Sequence, residues 1–295
     1  MAAAQWRLFL GMWPSLMSTY AFKQVDVFST QPLKGNPLAV VLGADELDAT
    51  RMAAFGNWTN LSETTFLLQP QDPRADYRVR IFTTSRELPF AGHPTLGSCH
   101  AWLQAGGQPK GEEIVQECGI GLVRIRRQGA QLAFTAPPLL RAGPVEAEVL
   151  ERVRQALDLR PEEILDAQWV QNGVPWMALM LPSRARVLSL KPDYGLLAGL
   201  DVGVVAPWQS EDGDEAQFEV RAFIGGDGVP EDPATGSLNA GIARWLLSTG
   251  QAPARYVASQ GTALGREGRI SVEQVGDDIW IGGAVVTCIE GQVTL

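Results

Sequence analysis

The 295-residue sequence predicts an α+β fold of two pseudo-symmetric domains, each a mostly antiparallel sheet, barrel or roll, wrapped around one central apolar helix. Three observations carry that reading. First, two segments look like copies of one device: Arg80-Ile81-Phe82 followed by Pro89-Phe90-Ala91-Gly92-His93-Pro94-Thr95, and Arg221-Ala222-Phe223 followed by Pro230-Glu231-Asp232-Pro233-Ala234-Thr235-Gly236-Ser237. Arg80 and Arg221, Phe82 and Phe223, and Pro89 and Pro230 are each 141 apart, so a single offset aligns strand, loop and helix start. Second, each copy runs into a helix with little charge on any side, and such a helix has to be buried all round. Third, the other apolar runs are short and bounded by turn residues, as strands are. Many short strands with one apolar helix per half give a sheet wrapped on its helix.

Along the chain, Phe22 to Phe28 alternates and reads as a strand, Gln31 to Pro37 is turn-rich, and Leu38 to Leu42 is a buried strand. Asp48 is placed to cap a short helix reaching about Trp58, with Met52, Ala53 and Phe55 on its inner face. Asn60 to Glu63 leads into a strand ending near Gln69-Pro70, and Tyr77 to Thr83 is the next strand. The helix from Pro94 to about Gln104 carries Leu96, Cys99, Ala101, Trp102 and Leu103 and stops at Gly106-Gly107. Strands at Glu113 to Val115, Gly121 to Arg126 and Gln131 to Ala136 precede the Pro137-Pro138 break. There the domain boundary is set: 20–137 form the first domain and 138–295 the second, with the closing strand free to cross to the first.

The second half opens with an amphipathic helix, Glu146 to Leu157, then strands at Gln168 to Gln171 and Trp176 to Leu181, a solvated acidic turn at Ser210 to Ala216, and a strand at Phe218 to Phe223. Its central helix, Pro233 to about Ser248, uses Leu238, Ile242, Trp245, Leu246 and Leu247 and stops at Gly250. Strands at Tyr256 to Gln260, Arg269 to Glu273 and Ile279 to Ile289 complete it. Residues 1–19 read as an extension: the apolar Leu8 to Trp13 stretch is cut by Pro14, too short for a secretory core, and Met17 is an alternative start.

Composition narrows the function. Lys and Arg number 24 against 33 Asp and Glu, a net charge of −9 without a basic patch, which argues against nucleic acid and anionic membrane as partners. No run reaches a membrane span's length. Cys99, Cys118 and Cys288 are scattered and odd in number, so no disulfide framework is expected and a reducing cytoplasm is the natural setting. With only His93 and His100 and no ligand spacing, no metal site is expected, and His100 reads as a packed residue. Neither G-x-G-x-x-G nor a P-loop is present, which disfavours a nucleotide cofactor.

The duplicated device offers a site. His93 and Asp232 each stand immediately before a proline, so both are expected at or beside a helix N-cap. Gly92 and Gly236 lack side chains and let another molecule approach the backbone. A helix N-terminus attracts anions through its free N–H groups and dipole. Two of them facing each other would hold a small carboxylic acid between the halves.

At these residues the chain resembles the PhzF-like isomerase family, named for phenazine biosynthesis and sharing its fold with diaminopimelate epimerase. The resemblance spans about Tyr20 to Leu295. It is strongest in Gln24-Val25-Asp26-Val27-Phe28, Gly35-Asn36-Pro37-Leu38-Ala39-Val40, Asn60-Leu61-Ser62-Glu63-Thr64, the two helix starts, and Gly282-Gly283-Ala284-Val285. It implies two pseudo-symmetric domains, a cleft between them, a homodimer and no cofactor. It also implies a glutamate that takes a proton from a dihydro-hydroxyanthranilic acid and returns it elsewhere on the ring. Glu63 matches that glutamate, His93 the family's histidine, Asp232 its aspartate, and Gly236 and Ser237 its glycine and serine.

Moving a proton along an allylic acid needs one base whose conjugate acid gives the proton back, and a carboxylate of raised pKa suits that task. Glu63 starts the apolar run Thr64 to Leu68 and is placed to be desolvated. His93 would hold a ring hydroxyl or relay the proton, Asp232 grip a substrate amine, and Ser237 with Gly92, Gly236 and the helix N–H groups hold the carboxylate. The chain departs from the family where Phe82-Thr83-Thr84 and Phe223-Ile224-Gly225 lack a proline common after the approach strand, so the loops beside the cleft are expected to differ in rigidity. Two other readings compete with this one. A two-cysteine racemase fails because Ala91 and Asp232 stand where its thiols would be. A protein that keeps the cleft only to bind a small molecule or partner is the other alternative.

Overall fold

The computed structural model describes residues 18–226 and 229–295. Residues 1–17 of the expected extension, Met17 included, lie outside the described residues, and Thr19 already opens the first strand.

Strand β1 (Thr19–Val27) pairs antiparallel with β2 (Asn36–Leu42). Helix α1 (Ala49–Thr59), capped by the Asp48 carboxylate on the Arg51 N–H as expected, crosses to β3 (Thr64–Leu68), which runs parallel to β2. β4 (Tyr77–Phe82) is antiparallel to β3 and to the short β5 (Glu87–Leu88). Helix α2 (Gly92–Gln104) leads to β6 (Ile114–Cys118), parallel to β4, and then to β7 (Gly121–Gln128) and β8 (Gln131–Thr135) in a meander.

The same order of pairings recurs. After β9 (Arg141–Pro144) and α3 (Ala147–Ala156) come β10 (Asp166–Gln171) and β11 (Trp176–Met180), antiparallel to each other. Two short helices, α4 (Arg184–Ser189) and α5 (Tyr194–Leu197), cross to β12 (Asp201–Pro207), parallel to β11. β13 (Phe218–Ile224) is antiparallel to β12 and to the short β14 (Glu231–Asp232). Helix α6 (Gly236–Ser248) leads to β15 (Arg255–Gln260), parallel to β13, then to β16 (Gly268–Val275) and β17 (Asp278–Thr294).

β17 pairs first with β16 and β8 and then along β1. Strands β1, β2, β3, β4, β6, β7, β8 and β17 therefore form a closed ring of pairings with α2 packed inside it. Closure removes the unpaired edges that an open sheet would carry. Helix α6 packs on β10, β11, β16 and β17, and one core cluster holds Leu96 of α2 together with Leu238 of α6. Each helix is 13 residues long and buried over most of its length, as its lack of charge requires. Removing Leu96 or Leu238 from water contributes about 1.5–3 kcal/mol apiece.

The recurring order of elements follows a register that differs from the expected one. β4 and β13 match at 141, whereas α2 and α6 match at 144, Gly92 with Gly236 and Gly97 with Gly241. An ion pair is duplicated with them. Arg80 Nε and Nη2 both donate to Glu87 at 2.7 Å, and Arg221 Nε and Nη2 both donate to Glu231 at 2.8 Å. The additional residues of the second copy lie in the turn between β13 and β14. Pro89 therefore corresponds to Pro233, His93 to Ser237, and Asp232 to Leu88. The helices begin at Gly92 and Gly236, so Pro94 is a third helical residue and Pro233 precedes its helix.

Strands β9 and β12 and helices α4 and α5 add to the expected elements. In β12 the reason is Gly203, which weakens a strand pattern. A Cβ there would lie 2.5 Å from the Leu238 side chain, so the glycine is where α6 presses on the sheet.

The duplicated ion pair makes a test of burial. Arg221 and Glu231 keep only 6% and 7% of their side-chain surface, and Arg221 also donates to the Val187 and Leu190 carbonyls. Glu231→Ala should cost about 3–5 kcal/mol in urea unfolding by stranding the guanidinium, while Glu87→Ala, at the exposed copy, should cost no more than about 1 kcal/mol. Equal losses would show that burial does not separate the two pairs.

Candidate active site

Three carriers bring polar groups to one place. The turn before β3 supplies Ser62 and Glu63, the second residue of α2 is His93, and β14 supplies Asp232. His93 and Asp232 are buried, and Glu63 keeps 15% of its side-chain surface. His93 Nε2 stands 3.4 Å from Glu63 Oε2, yet the two are not aligned as a hydrogen bond, and each is a buried atom without a partner. Leaving a buried donor or acceptor unmet is costly.

The two carboxylates are treated differently. Asp232 Oδ1 accepts from Asn36 Nδ2 at 2.9 Å and from Ser62 Oγ at 3.2 Å, and its Oδ2 accepts from Thr235 Oγ1 at 2.5 Å. Glu63 Oε2 has no such donor. Burial, and then the charge of Asp232, push the Glu63 carboxyl well above its ordinary range. Burial also lifts Asp232, to about 6, but its three donors pull the other way. Burial thus raises both carboxyls, and Asp232 has donors that oppose the rise. Burial takes the His93 imidazolium down to about 3, the Pro37 backbone opposing in part, so the ring is neutral.

A tight network holds the Asp232 segment. Gln260 Nε2 donates to the Asp232 carbonyl and to Thr235 Oγ1, both at 2.9 Å, and Asn239 Nδ2 donates to Gln260 Oε1 at 2.9 Å. Ser237 Oγ accepts from the Trp176 indole N–H at 3.1 Å, and the Ser237 carbonyl accepts from Asn172 at 2.8 Å.

The caps are not where the sequence put them. Ala91 and Thr235 occupy the N-cap positions without a side-chain cap, although the Thr235 hydroxyl reaches back to Asp232. What approaches the backbone of Gly92 is Gly236 itself: a Cβ on Gly92 would lie 2.6 Å from the Gly236 Cα, and one on Gly236 would lie 2.8 Å from the Gly92 Cα. The helices meet start to start, so the expected gap between the two glycines is filled.

Two cavities flank the turn. One, of ≈ 320 Å³, lies between Thr83, Thr84, Ser85 and Arg86 of the first half and Gly199 and Asp201 of the second. The other, of ≈ 440 Å³, is lined by Tyr194, Pro233 and Arg266 among others. Leu61, Ser62 and Val229 line both, whereas Glu63 and His93 line neither. Ser62 thus joins the cavities to Asp232.

Hydrogen bonds stand in for the two missing prolines. Thr83 Oγ1 accepts from the Ser85 and Arg86 N–H groups at 3.1 and 3.0 Å. The Gly225 N–H donates to the Leu200 carbonyl at 2.9 Å, and a Cβ there would meet the Leu197 carbonyl at 1.9 Å, so proline cannot occupy that position. Among the described residues no group of side chains has a metal-binding arrangement, and His100 packs against Thr287 Oγ1 at 2.9 Å. Sequence reasoning missed Asn36, Ser62, Thr235 and Gln260 as parts of the site. Asn36 and Ser62 lie in segments that were singled out, but nothing local marks Gln260.

The chain matches the family described as phenazine biosynthesis-like protein over residues 25–291. It is 35% identical over 297 residues to antisense-enhancing sequence 1 of Schizosaccharomyces pombe, covering 94% of this chain and 99% of that one. With the trans-2,3-dihydro-3-hydroxyanthranilate isomerase of Pseudomonas aeruginosa it shares 32% identity over 254 residues, 83% of this chain and 87% of the relative. The structure of a predicted epimerase from Pseudomonas aeruginosa superposes with a TM-score of 0.74 at 27% identity, covering 94% and 99% of the two chains.

The electrostatics predict a pH-dependent stability. A carboxyl whose folded pKa is raised costs nothing below its unfolded pKa and destabilises increasingly as pH rises through the folded value. Glu63→Gln carries no charge to bury, so its stability relative to wild type should increase between about pH 4 and about pH 8. Urea unfolding at both pH values measures this, and a difference that stays constant would contradict the raised Glu63 pKa.

Proposed function

The chain belongs to the phenazine biosynthesis-like family, and on that footing we propose that it is a cofactor-independent isomerase moving a proton within a small unsaturated or cyclic carboxylic acid. Glu63 is the acid and base. The observation that carries this reading is the Glu63 carboxyl itself: buried, unpartnered at Oε2, facing His93, and raised in pKa by burial and by Asp232. A curated relative named trans-2,3-dihydro-3-hydroxyanthranilate isomerase supports the reaction class and the kind of substrate.

In the reaction, the Glu63 carboxylate takes a proton from an allylic carbon, the electron pair of that C–H bond shifts the double bond, and Glu63 returns the proton to a carbon further along the system. Composition is unchanged, and no oxidant or reductant is needed. Raising the carboxyl makes it a stronger base, and water exclusion keeps the proton for return. His93, neutral, donates a hydrogen bond to the substrate and steadies the charge that develops. Asp232, held by Asn36, Ser62 and Thr235, takes a cationic or donor group of the substrate. The substrate carboxylate lies near Ser237 and the N–H groups that follow Gly92 and Gly236, where the helix dipoles favour an anion.

Deuterium uptake followed by NMR, with a dihydro-hydroxyanthranilate and a panel of small unsaturated amino and hydroxy acids, tests the assignment. Glu63→Gln should bind the same acids but lose turnover by about 10²-fold or more, the scale of a missing general base. Undiminished exchange in that variant would sink it. The acid limb of kcat/KM should lie above the ordinary carboxylate range, because the base must be ionised and its pKa is raised. In Asp232→Asn, which removes a neighbouring negative charge, the limb should move to lower pH, and a limb that stays put would exclude the coupling.

A further inference from the structure

Ser237 is the second residue of α6, and the hairpin of β10 and β11 holds it at two points. Asn172, in the turn of that hairpin, donates Nδ2 to the Ser237 carbonyl at 2.8 Å. Trp176 opens β11, is buried, and places its indole Nε1 3.1 Å from Ser237 Oγ. An indole N–H can only donate, so the hydroxyl has to accept from it. A hydroxyl carries one proton, and with a lone pair turned to the indole that proton points elsewhere. Ser237 is itself buried, and among the described residues no acceptor takes the proton. The first half repeats the arrangement. Asn36 opens β2 and stands against His93, the second residue of α2, with Nδ2 3.2 Å from Nδ1. β2 and β11 hold the same place in their halves: each follows an antiparallel partner and runs parallel to the next strand. Strand start against helix start is therefore part of the duplicated frame, and the two copies differ in the groups they present there.

We infer that Trp176 is a positioning residue: its indole N–H turns the Ser237 hydroxyl so that the proton is kept for an acceptor on the substrate, the carboxylate of the proposed reaction. This rests on that reading of the site and deepens it. A free serine hydroxyl rotates and can donate or accept. One held at its lone pair by a fixed donor meets an anion with its proton already directed, so less ordering is left to be done when the anion binds. Trp176 acts through Ser237 and has no need to touch the substrate.

Calorimetric titration with anthranilate, an aromatic amino acid that has no allylic proton, tests this without turnover. Trp176→Phe keeps an apolar ring and loses the donor, so its Kd for anthranilate should rise about tenfold, the scale of one hydrogen bond to a charged group. Ser237→Ala should weaken binding at least as much, and Trp176→Phe in the Ser237→Ala background should add nothing. An equal loss in both backgrounds would mark Trp176 as packing alone and overturn the inference, as would unchanged affinity in Trp176→Phe. If that variant does not fold, the Trp176 indole resonance decides, assigned among the nine tryptophans through its own backbone. In ¹H–¹⁵N NMR it should move upfield in Ser237→Ala and shift in wild type on adding anthranilate, and a resonance that ignores either change overturns the inference. So does a wild type that binds none of anthranilate, benzoate and a dihydro-hydroxyanthranilate. Binding that follows the expected pattern while no acid is turned over would remove the isomerase reading and leave the role of Trp176 standing.

Discussion

The contact on which the rest of the site depends is backbone against backbone, where Gly92 of α2 meets Gly236 of α6. Neither position has room for a Cβ, and the next residues are His93 and Ser237. Once the two helix starts touch, the placement of those side chains is set by the helices, each locked in its sheet by burial. Gly97 and Gly241 extend the same logic. A Cβ on Gly97 would press on Leu38, and one on Gly241 would lie 2.3 Å from the Val170 carbonyl, so each helix sits directly on its strands. His93 and Ser237 thus stand on packed cores, whereas Ser62 and Glu63 come from the turn before β3.

The duplication explains the asymmetry of the site as well as its frame. Equivalent positions hold His93 and Ser237 at one step, Leu88 and Asp232 at another. Glu63 belongs to the first half, and its neighbour Ser62 reaches across to Asp232 in the second. The proposed reaction calls for one base, one donor and one held anion, which a symmetric centre would not supply. The two copies keep a shared scaffold, including their Arg–Glu pairs, and differ where the substrate would touch.

Much of the architecture was legible in the sequence because it rests on periodicity. The two uncharged helices, the Asp48 cap and most strands announce themselves through burial pattern and turn residues. Glu63, His93 and Asp232 were found through the resemblance, and the geometry brings them together. The register of the repeat was misread because Pro230 imitates Pro89, whereas the paired partner of Pro89 is Pro233; only the second Arg–Glu pair reveals it. β12 was missed because its glycine makes space for Leu238, a contact made from a distant helix. Asn36 and Gln260 matter through hydrogen bonds to residues far along the chain, and no local pattern encodes such bonds.

The last strand has a bearing on how the molecule is made. β17 carries Thr294 alongside Thr19, and its pairings with β1 and β8 close the ring around α2. During synthesis the first strands emerge without that partner, and α2 is left beneath an open seam until β17 has been made. Pairing over so long a loop is slow to form. The ring is therefore closed only by β17, the clasp that commits β1 and β8 to their native places.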